Sequence, residues 1–386
     1  MTTSTKAPAP LAEIVRALDA IAPLHLAESW DRVGLLVEGD GRAIARILLA
    51  IDLEPAVLAE ARAMSADLVV AYHPLLFKPL ERLDGSTWQG RVAIDAVRAG
   101  IAVHSPHTAL DAVAGGVNDW LVEAIDPRAT AVRALVPAAA RAGHTHKIVT
   151  FVPEGEVDAV RAALAEANAG TIGAYTHCSF LSPGEGTFFG QEGSNPAVGT
   201  AGHLERVREV RLEMPFHARD LARVVDGLRA AHPYEEPAFD LVALTPPPAT
   251  DARTGAGRVA TLAEPATAAA IAARVAPALG GGPLDRSRGD SARTHARVAV
   301  CAGSGGSLLD AAARAGATLF LTGELSHHDV LRAHALGLEV LLAGHTNTER
   351  GYLPRLAASI RARHPGVEVV VSARDRDPIV RDAVAV

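Results

Sequence analysis

The sequence predicts an α/β fold in which one domain is assembled from both chain ends and interrupted by a smaller α+β module. Three observations predict it. Short unbroken apolar runs alternate with helical periodicity near both ends, as a parallel sheet buried on both faces requires. The middle instead reads β-α-β-β-α-β, the order of a ferredoxin-like module. The proline cluster Pro246-Pro247-Pro248 then opens a linker back to the first pattern. A chain of 386 residues has room for two or three domains of roughly 100–200 residues each. The expected boundaries are 1–140 with 250–386 for the discontinuous domain and 145–245 for the insertion.

The elements follow in order. Leu11, Ile14, Val15, Leu18 and Ile21 stand at helical spacing. Apolar runs at 47–51, 68–71 and 101–103 read as strands, separated by helices over 55–65 and 90–99, with another helix over 115–125. In the middle, 147–152 is a strand, 154–167 a helix and 171–180 a strand. Glycines and serines crowd 182–202, which suggests a hairpin with a long loop; 207–214 is a strand, 217–231 a helix and 238–244 a strand. Residues 246–257 read as a linker and 280–293 as a second flexible, mixed-charge stretch. The α/β alternation then resumes: strands at 297–302, 318–321, 339–343 and 367–371, with helices over 307–315, 325–336 and 346–363.

Composition excludes several classes of function. Lys and Arg number 37 against 44 Asp and Glu, a net charge of −7, which argues against a non-specific grip on nucleic acid or anionic membrane. Aromatic residues at 4% leave little for base stacking. No run approaches the ~18 apolar residues of a membrane span. The opening Met1-Thr2-Thr3-Ser4-Thr5-Lys6 has no apolar signal core, so a cytoplasmic location is expected. Two cysteines, Cys178 and Cys301, are too few for a disulfide framework or a thiolate metal site, and Cys301 reads as core.

Three polar clusters follow apolar strand runs directly. Leu68–Ala71 runs into Tyr72-His73-Pro74, 101–103 into His104-Ser105-Pro106-His107-Thr108-Ala109-Leu110-Asp111, and 340–343 into Gly344-His345-Thr346-Asn347-Thr348-Glu349. Ligands of open α/β sheets bind beyond the carboxyl ends of strands. Imidazoles and carboxylates brought to one rim there would suit zinc, iron or manganese. Each residue also has a plainer reading. His345 and Glu349 share a helix face at i,i+4, but 346–349 also fits a capping box. Asp111 could serve only as a turn residue before Gly115-Gly116, and His73 as an ordinary strand-end histidine. Gly303-Ser304-Gly305-Gly306 could cradle an anion on backbone N–H groups or form a plain tight turn. Thr322-Gly323-Glu324 with Ser326-His327-His328 offers another strand-end acid, though an exposed helix face explains both histidines equally well.

At these clusters the sequence resembles a known family. Trp30-Asp31-Arg32-Val33-Gly34-Leu35, Tyr72-His73-Pro74-Leu75-Leu76-Phe77, His107-Thr108-Ala109-Leu110-Asp111 with Gly115-Gly116-Val117-Asn118, Ala302-Gly303-Ser304-Gly305, Thr322-Gly323-Glu324 and Gly344-His345 through Glu349-Arg350-Gly351 occur in the order of the GTP cyclohydrolase 1 type 2 proteins, also called NIF-three-like dinuclear metal centre proteins. The resemblance spans nearly the whole chain. His232-Pro233-Tyr234-Glu235-Glu236 resembles the PII/CutA-like insertion of the longer members. The resemblance implies a toroidal homohexamer and a site for one or two divalent ions (Zn, Fe or Mn) per subunit, held by His73, Asp111, His345 and Glu349. One departure matters: many members carry a histidine pair before the proline, where this chain has Tyr72. A phenol, with an unperturbed pKa of about 10, is a poorer ligand near neutral pH. A second ion would then be weaker, helped by His107, or absent.

The implied activity is hydrolysis of the imidazole ring of a purine nucleotide by metal-activated water, with His107, Glu324 or His328 moving protons and Gly303, Ser304 and Gly305 receiving the triphosphate. Two alternatives stand beside it: a non-catalytic metal-binding regulatory or scaffold protein, and a phosphoester hydrolase on the same site. Ser372-Ala373-Arg374-Asp375-Arg376-Asp377-Pro378 also resembles a family stretch, without a chemical role assigned to it.

Overall fold

A computed structural model of the chain describes residues 8–79, 82–138, 144–173, 175–245, 251–282 and 284–379. The chain divides into two compact units, Met1–Ala138 with Ala249–Val386, and Ala139–Pro248. Residues 246–250 of the expected linker and the first seven residues lie outside the described residues.

The strands are β1 (Gly34–Val37), β2 (Arg46–Ala50), β3 (Leu68–Ala71), β4 (Ala102–Ser105) and β5 (Thr130–Pro137); β6 (His146–Pro153), β7 (Phe180–Phe189), β8 (Leu204–Phe216) and β9 (Phe239–Ala243) in the insertion; then β10 (Gly255–Thr267), β11 (Asp285–Arg286), β12 (Thr294–Ser304), β13 (Leu319–Glu324), β14 (Glu339–Leu342) and β15 (Glu368–Val371). The larger unit holds two sheets, ordered β1-β4-β3-β2-β15 and β11-β14-β13-β12-β10-β5. Each has a parallel centre, β15/β2/β3/β4 and β12/β13/β14, with antiparallel strands outside it.

The unbroken apolar runs explain this layering. Successive side chains of a strand point to opposite faces, so a run apolar at every position can pack on both. Ile47, Leu49, Leu68 and Val70 face the same central core as Val298, Val300, Leu319, Leu321 and Leu341 of the other sheet. Helices Leu11–Ile21, Val117–Ile125, Ala268–Val275 and Leu353–Arg363 add Ile14, Leu121, Ile271 and Leu356 to that core. The alternate residues Leu48, Ala50, Val69 and Ala71 pack under helices Pro55–Ala63 and Trp88–Arg98. Ala299, Phe320 and Val340 do the same under Leu309–Arg314 and His327–Ala335, where Cys301 also packs. A slip of one residue would exchange the two faces of any of these strands.

The structure departs from expectation at identifiable places. The three polar clusters do not share the rim of one sheet: β3 and β4 belong to one sheet and β14 to the other. β10 begins at Gly255, inside the stretch read as linker. Its apolar pattern is hidden by Arg258, which is fully buried and paired with Asp119 at 2.9 Å while donating to the Gly255, Gly257, Ala112 and Val113 carbonyls. The expected helix 346–363 is two helices, Asn347–Arg350 and Leu353–Arg363, the second with Pro354 in its first turn, where a missing N–H costs nothing.

The inserted unit forms a four-stranded antiparallel sheet ordered β7-β8-β6-β9. Helices Val157–Glu166 and Leu221–Ala231 cover one face through Ile148, Val152, Leu212, Met214, Val160, Leu164, Val224 and Leu228. Among the described residues of 171–179 no strand forms, only the bridge Ile172–Tyr175. The strand is β7, which runs through Pro183, Gly184 and Gly186. Its place at a sheet edge tolerates the proline, which cannot donate to a ladder on both sides. Among the described residues no helix is long and apolar enough to cross a membrane.

Candidate metal centre

The site is assembled where the two sheets of the larger unit deliver their strand ends. Past β3 the chain turns through Tyr72 and His73; past β4 it reaches His107 and Asp111; past β14 it passes Gly344 and His345 to the short helix carrying Glu349. His73, His345 and Glu349 converge, with one ligand atom from each lying within 4.8 Å of the other two. His73 Nε2 is 3.3 Å from Glu349 Oε2, and His345 Nε2 is 3.5 Å from Glu349 Oε1. One carboxylate thus faces two imidazoles, one with each oxygen.

Both imidazoles are oriented from behind. His73 Nδ1 lies 2.9 Å from Asp52 Oδ1, and His345 Nδ1 lies 2.9 Å from Glu324 Oε1. An ionised carboxylate only accepts, so each Nδ1 carries a proton and Nε2 is the nitrogen turned toward the cluster, a lone-pair donor once any proton of its own is released. His107 repeats the arrangement, its Nδ1 2.7 Å from Asp31 Oδ1. Its ring centroid lies 5.3 Å from that of His73 and 5.8 Å from that of Tyr72. His107 holds φ at +28°, outside the ordinary regions for an L-residue. Such strain persists only where the surroundings impose it.

The electrostatics suit a cation. Burial opposes charge on His73, yet the Asp52 and Glu349 carboxylates on its two nitrogens outweigh burial and push its pKa up to about 10, so a proton on Nε2 and a metal ion compete for the same position, and binding the ion would release that proton. Burial, reinforced by the Glu349 charge, pushes Asp111 up to about 6. Burial and then the Asp111 and Glu349 charges raise Tyr72 well above its ordinary value, so the phenol keeps its proton and donates it to Asp111 Oδ1. His73 Nε2 and Glu349 Oε2 are buried and face each other at 3.3 Å, and among the described residues neither has a hydrogen-bond partner besides. Two buried donor atoms left with only this long contact are costly unless a proton or a cation lies between them. The residues present therefore fit a divalent ion. Gly303 keeps the cradle open: its φ is +61°, and a Cβ there would stand 2.9 Å from Glu349 Oε1 and 3.1 Å from His345 Nε2.

Each expected site residue has a definite place. His73, His345 and Glu349 are together; Asp111 adjoins them through Tyr72. The capping reading of Glu349 fails, because Thr346 makes no side-chain cap and its hydroxyl is unpartnered. Glu324 holds His345. His328 is exposed and packs on His327, their centroids 5.5 Å apart, with no hydrogen bond or ion pair to the cluster among the described residues. The anion-cradle reading of Gly303, Ser304 and Gly305 gives way to a packing one. The Gly303 N–H is taken by Thr348 Oγ1 at 2.9 Å and its carbonyl by the Thr322 hydroxyl at 3.1 Å. A Cβ on Gly305 would meet Thr322 Oγ1 at 2.6 Å, and the Asp329 carboxylate stands beside Gly306, poor company for a phosphate.

Residue reasoning missed the anchors Asp31 and Asp52. Asp52 directly follows the apolar run of β2, just as His73 follows β3, so a signal existed. The stretch near the carboxyl end also acquires a role. Asp375 accepts from the Ile51 N–H at 2.7 Å and pairs with Arg350, tying the residue before Asp52 to the residue after Glu349.

Known proteins resemble the chain along most of its length. The Duf34/NIF3 (NGG1p interacting factor 3) family matches residues 9–378. A Mycobacterium tuberculosis protein named GTP cyclohydrolase 1 type 2 homolog is 39% identical over 319 residues, 82% of each chain. A Bacillus subtilis protein of the same name is 34% identical over 369 residues, 95% of this chain and 97% of its own. The human NIF3-like protein 1 is 30% identical over 387 residues, 96% of this chain and 92% of its own. Among solved structures, a Bacillus cereus protein related to NIF3 superposes with a TM-score of 0.64 at 31% identity, covering 97% of this chain and all of the other.

Proposed function

The chain belongs to the Duf34/NIF3 family, and on that premise we propose that it is a metal-dependent hydrolase of the GTP cyclohydrolase 1 type 2 kind, opening the imidazole ring of a purine nucleotide. The observation that carries the reading is the convergence of ligand atoms of His73, Glu349 and His345 within 4.8 Å, with His73 Nε2 and Glu349 Oε2 buried and without a hydrogen-bond partner beyond each other among the described residues. In this reading His73, His345 and Glu349 hold one ion of zinc, iron or manganese. Asp111 serves a second, weaker position, since its Oδ1 is already engaged by the Tyr72 phenol. A bound divalent ion supplies Lewis acidity, polarising a substrate oxygen and acidifying water. Asp52 and Glu324 fix the imidazoles so that only Nε2 points inward. His107 has Nδ1 committed to Asp31 and a ring against His73 and Tyr72, which leaves its Nε2 to move a proton between water and the leaving ring nitrogen. The reading includes assembly as a homohexamer.

The second reading, a metal-binding regulatory or scaffold protein, is favoured by the Tyr72–Asp111 hydrogen bond, which ties up a carboxylate that a dinuclear centre would use.

The test is to strip the protein with chelator, reload it with zinc, manganese or ferrous iron, and incubate it with GTP. Ring-opened product with at least one metal is expected. Glu349→Ala should lower turnover by more than the roughly 100-fold that loss of an outer partner costs, with an unchanged elution volume on size exclusion. Absence of ring-opened product from protein of verified metal content defeats the hydrolase reading. Loss of assembly on removing the metal supports the structural one.

A further inference from the structure

The inserted unit contains a cavity of about 680 Å³ that the proposed hydrolase chemistry does not use. It lies on the face of the β7-β8-β6-β9 sheet opposite the helices. Phe151, Arg211 and Ser182 are register partners across three strands there, as are Pro153, Glu209 and Gly184. The alternate residues Val152, Leu212 and Met214 point into the helical core instead. The volume falls within the range of small-molecule sites, about 300–1,000 Å³, and every lining residue comes from the inserted unit.

Glu209 gives the cavity its character. It is 9% exposed, its Oε1 accepts from the Tyr234 hydroxyl at 2.7 Å, and among the described residues no Lys, Arg or His nitrogen forms an ion pair with it. A buried carboxylate without a counter-cation is expensive. The neighbouring residues show that its position is imposed. A Cβ on Gly186 would come within 2.0 Å of Glu209 Oε2, so that glycine makes room for the carboxylate. Tyr234 is itself held in place: its N–H donates to His232 Nδ1 at 3.1 Å, while His232 Nε2 bonds the Phe151 carbonyl at 3.0 Å. The His232-Pro233-Tyr234-Glu235-Glu236 motif is thus the structure that aims Tyr234 at Glu209.

The walls complete the case. Phe151, Phe188 and Tyr234 line the cavity, with the last two rings 6.2 Å apart. Arg211 also lines it, but its guanidinium is engaged by Glu213 at 2.8 Å and lies over Phe151. Glu235 and Glu236 add negative charge at the wall, while Glu185, also there, is paired with Arg206 at 2.7 Å. Aromatic faces with an uncompensated carboxylate select a cation.

We propose that the inserted unit is a binding site for a small organic cation, an ammonium group on an aromatic or apolar body, with Glu209 as the counter-charge. The experiment titrates the full-length protein with three probes of one shape: phenethylamine, which is protonated at neutral pH, phenethyl alcohol and phenylacetate. Binding is read by calorimetry and by thermal shift. The amine should bind roughly tenfold tighter than the alcohol, the worth of one charge-assisted hydrogen bond, and phenylacetate should bind weaker still. Glu209→Gln should erase the amine's advantage while leaving the alcohol unchanged. Gly186→Ala, which displaces the carboxylate without touching the aromatic walls, should do the same and stands in if the first variant does not fold. Equal binding of amine and alcohol, failure of the amine to bind at millimolar concentration, or an amine preference that survives in a folded variant would each overturn the proposal.

Discussion

The half of the candidate metal centre built on His73, His345 and Glu349 differs from the neighbouring cluster built on His107 and Asp111 in one hydrogen bond. Both halves set an imidazole against a carboxylate from behind, Asp52 and Glu324 in the first and Asp31 in the second. Both keep a buried acid facing the imidazoles. In the first half that acid, Glu349, meets only the two imidazoles among the described residues, at 3.3 and 3.5 Å. In the second, Asp111 accepts a hydrogen bond from the Tyr72 hydroxyl. Ligand types alone therefore do not make a site. A coordinating atom must also be free of internal bonds, and a single tyrosine separates one half from the other.

The largest effect should come from loosening the anchors of the first half. Asp52→Asn and Glu324→Gln keep shape but remove the charge behind each imidazole. Each should lower affinity for the first ion by about 10–100-fold, measured by competition with a chromophoric chelator. Asp31→Asn, made in the second half, should leave that affinity nearly unchanged. Equal losses from all three would merge the halves into one centre and break the contrast.

A smaller effect should follow from replacing the residue that distinguishes the halves. Tyr72→His removes the proton donor from Asp111 and supplies an imidazole at a buried position. Metal content by elemental analysis should rise toward two ions per subunit, while affinity for the first changes by less than about tenfold. Tyr72→Phe frees Asp111 without adding a ligand and should fall between. If the histidine variant gains no metal, Tyr72 is not what separates the halves.

The parallel strands and the polar residues at their ends were legible because each strand is an unbroken apolar run, and such a run can end only where backbone and side chains meet solvent or a ligand. Which sheet each strand joins was not legible, since register between distant segments depends on packing that no local pattern encodes. Hence three clusters expected at one rim come from two sheets. Other elements were masked by side chains that contradict their surroundings. Arg258 breaks the apolar pattern of β10 because its charge is satisfied inside, by Asp119 and four carbonyls. In β7 the glycines that read as a loop include Gly186, which makes space for the Glu209 carboxylate. The anchors Asp31 and Asp52 were hard to read for another reason: an aspartate earns its role here from an imidazole far away in sequence.

The same contrast between held and unheld imidazoles recurs within the segment His104-Ser105-Pro106-His107, where its effect at neutral pH should be the smallest of all. His107 has its carboxylate. His104 is fully buried on β4, and neither ring nitrogen has a hydrogen-bond partner among the described residues. Burial lowers its pKa from 6.5 to about 4, against a small opposing pull from Asp19. The folded value lies below the unfolded one, so the neutral ring contributes its full stability above about pH 6.5 and loses it as the pH falls toward 4. A gap of that size corresponds to about 3 kcal/mol. His104→Leu removes two unsatisfied nitrogens and should change stability by no more than about 1 kcal/mol at pH 7. At pH 5 the variant should gain about 2 kcal/mol relative to the native chain, read from urea unfolding in the presence of chelator so that metal binding does not contribute. Parallel acid destabilisation of the two proteins would mean that His104 is not the buried neutral ring, and that the acid response belongs to the metal centre instead.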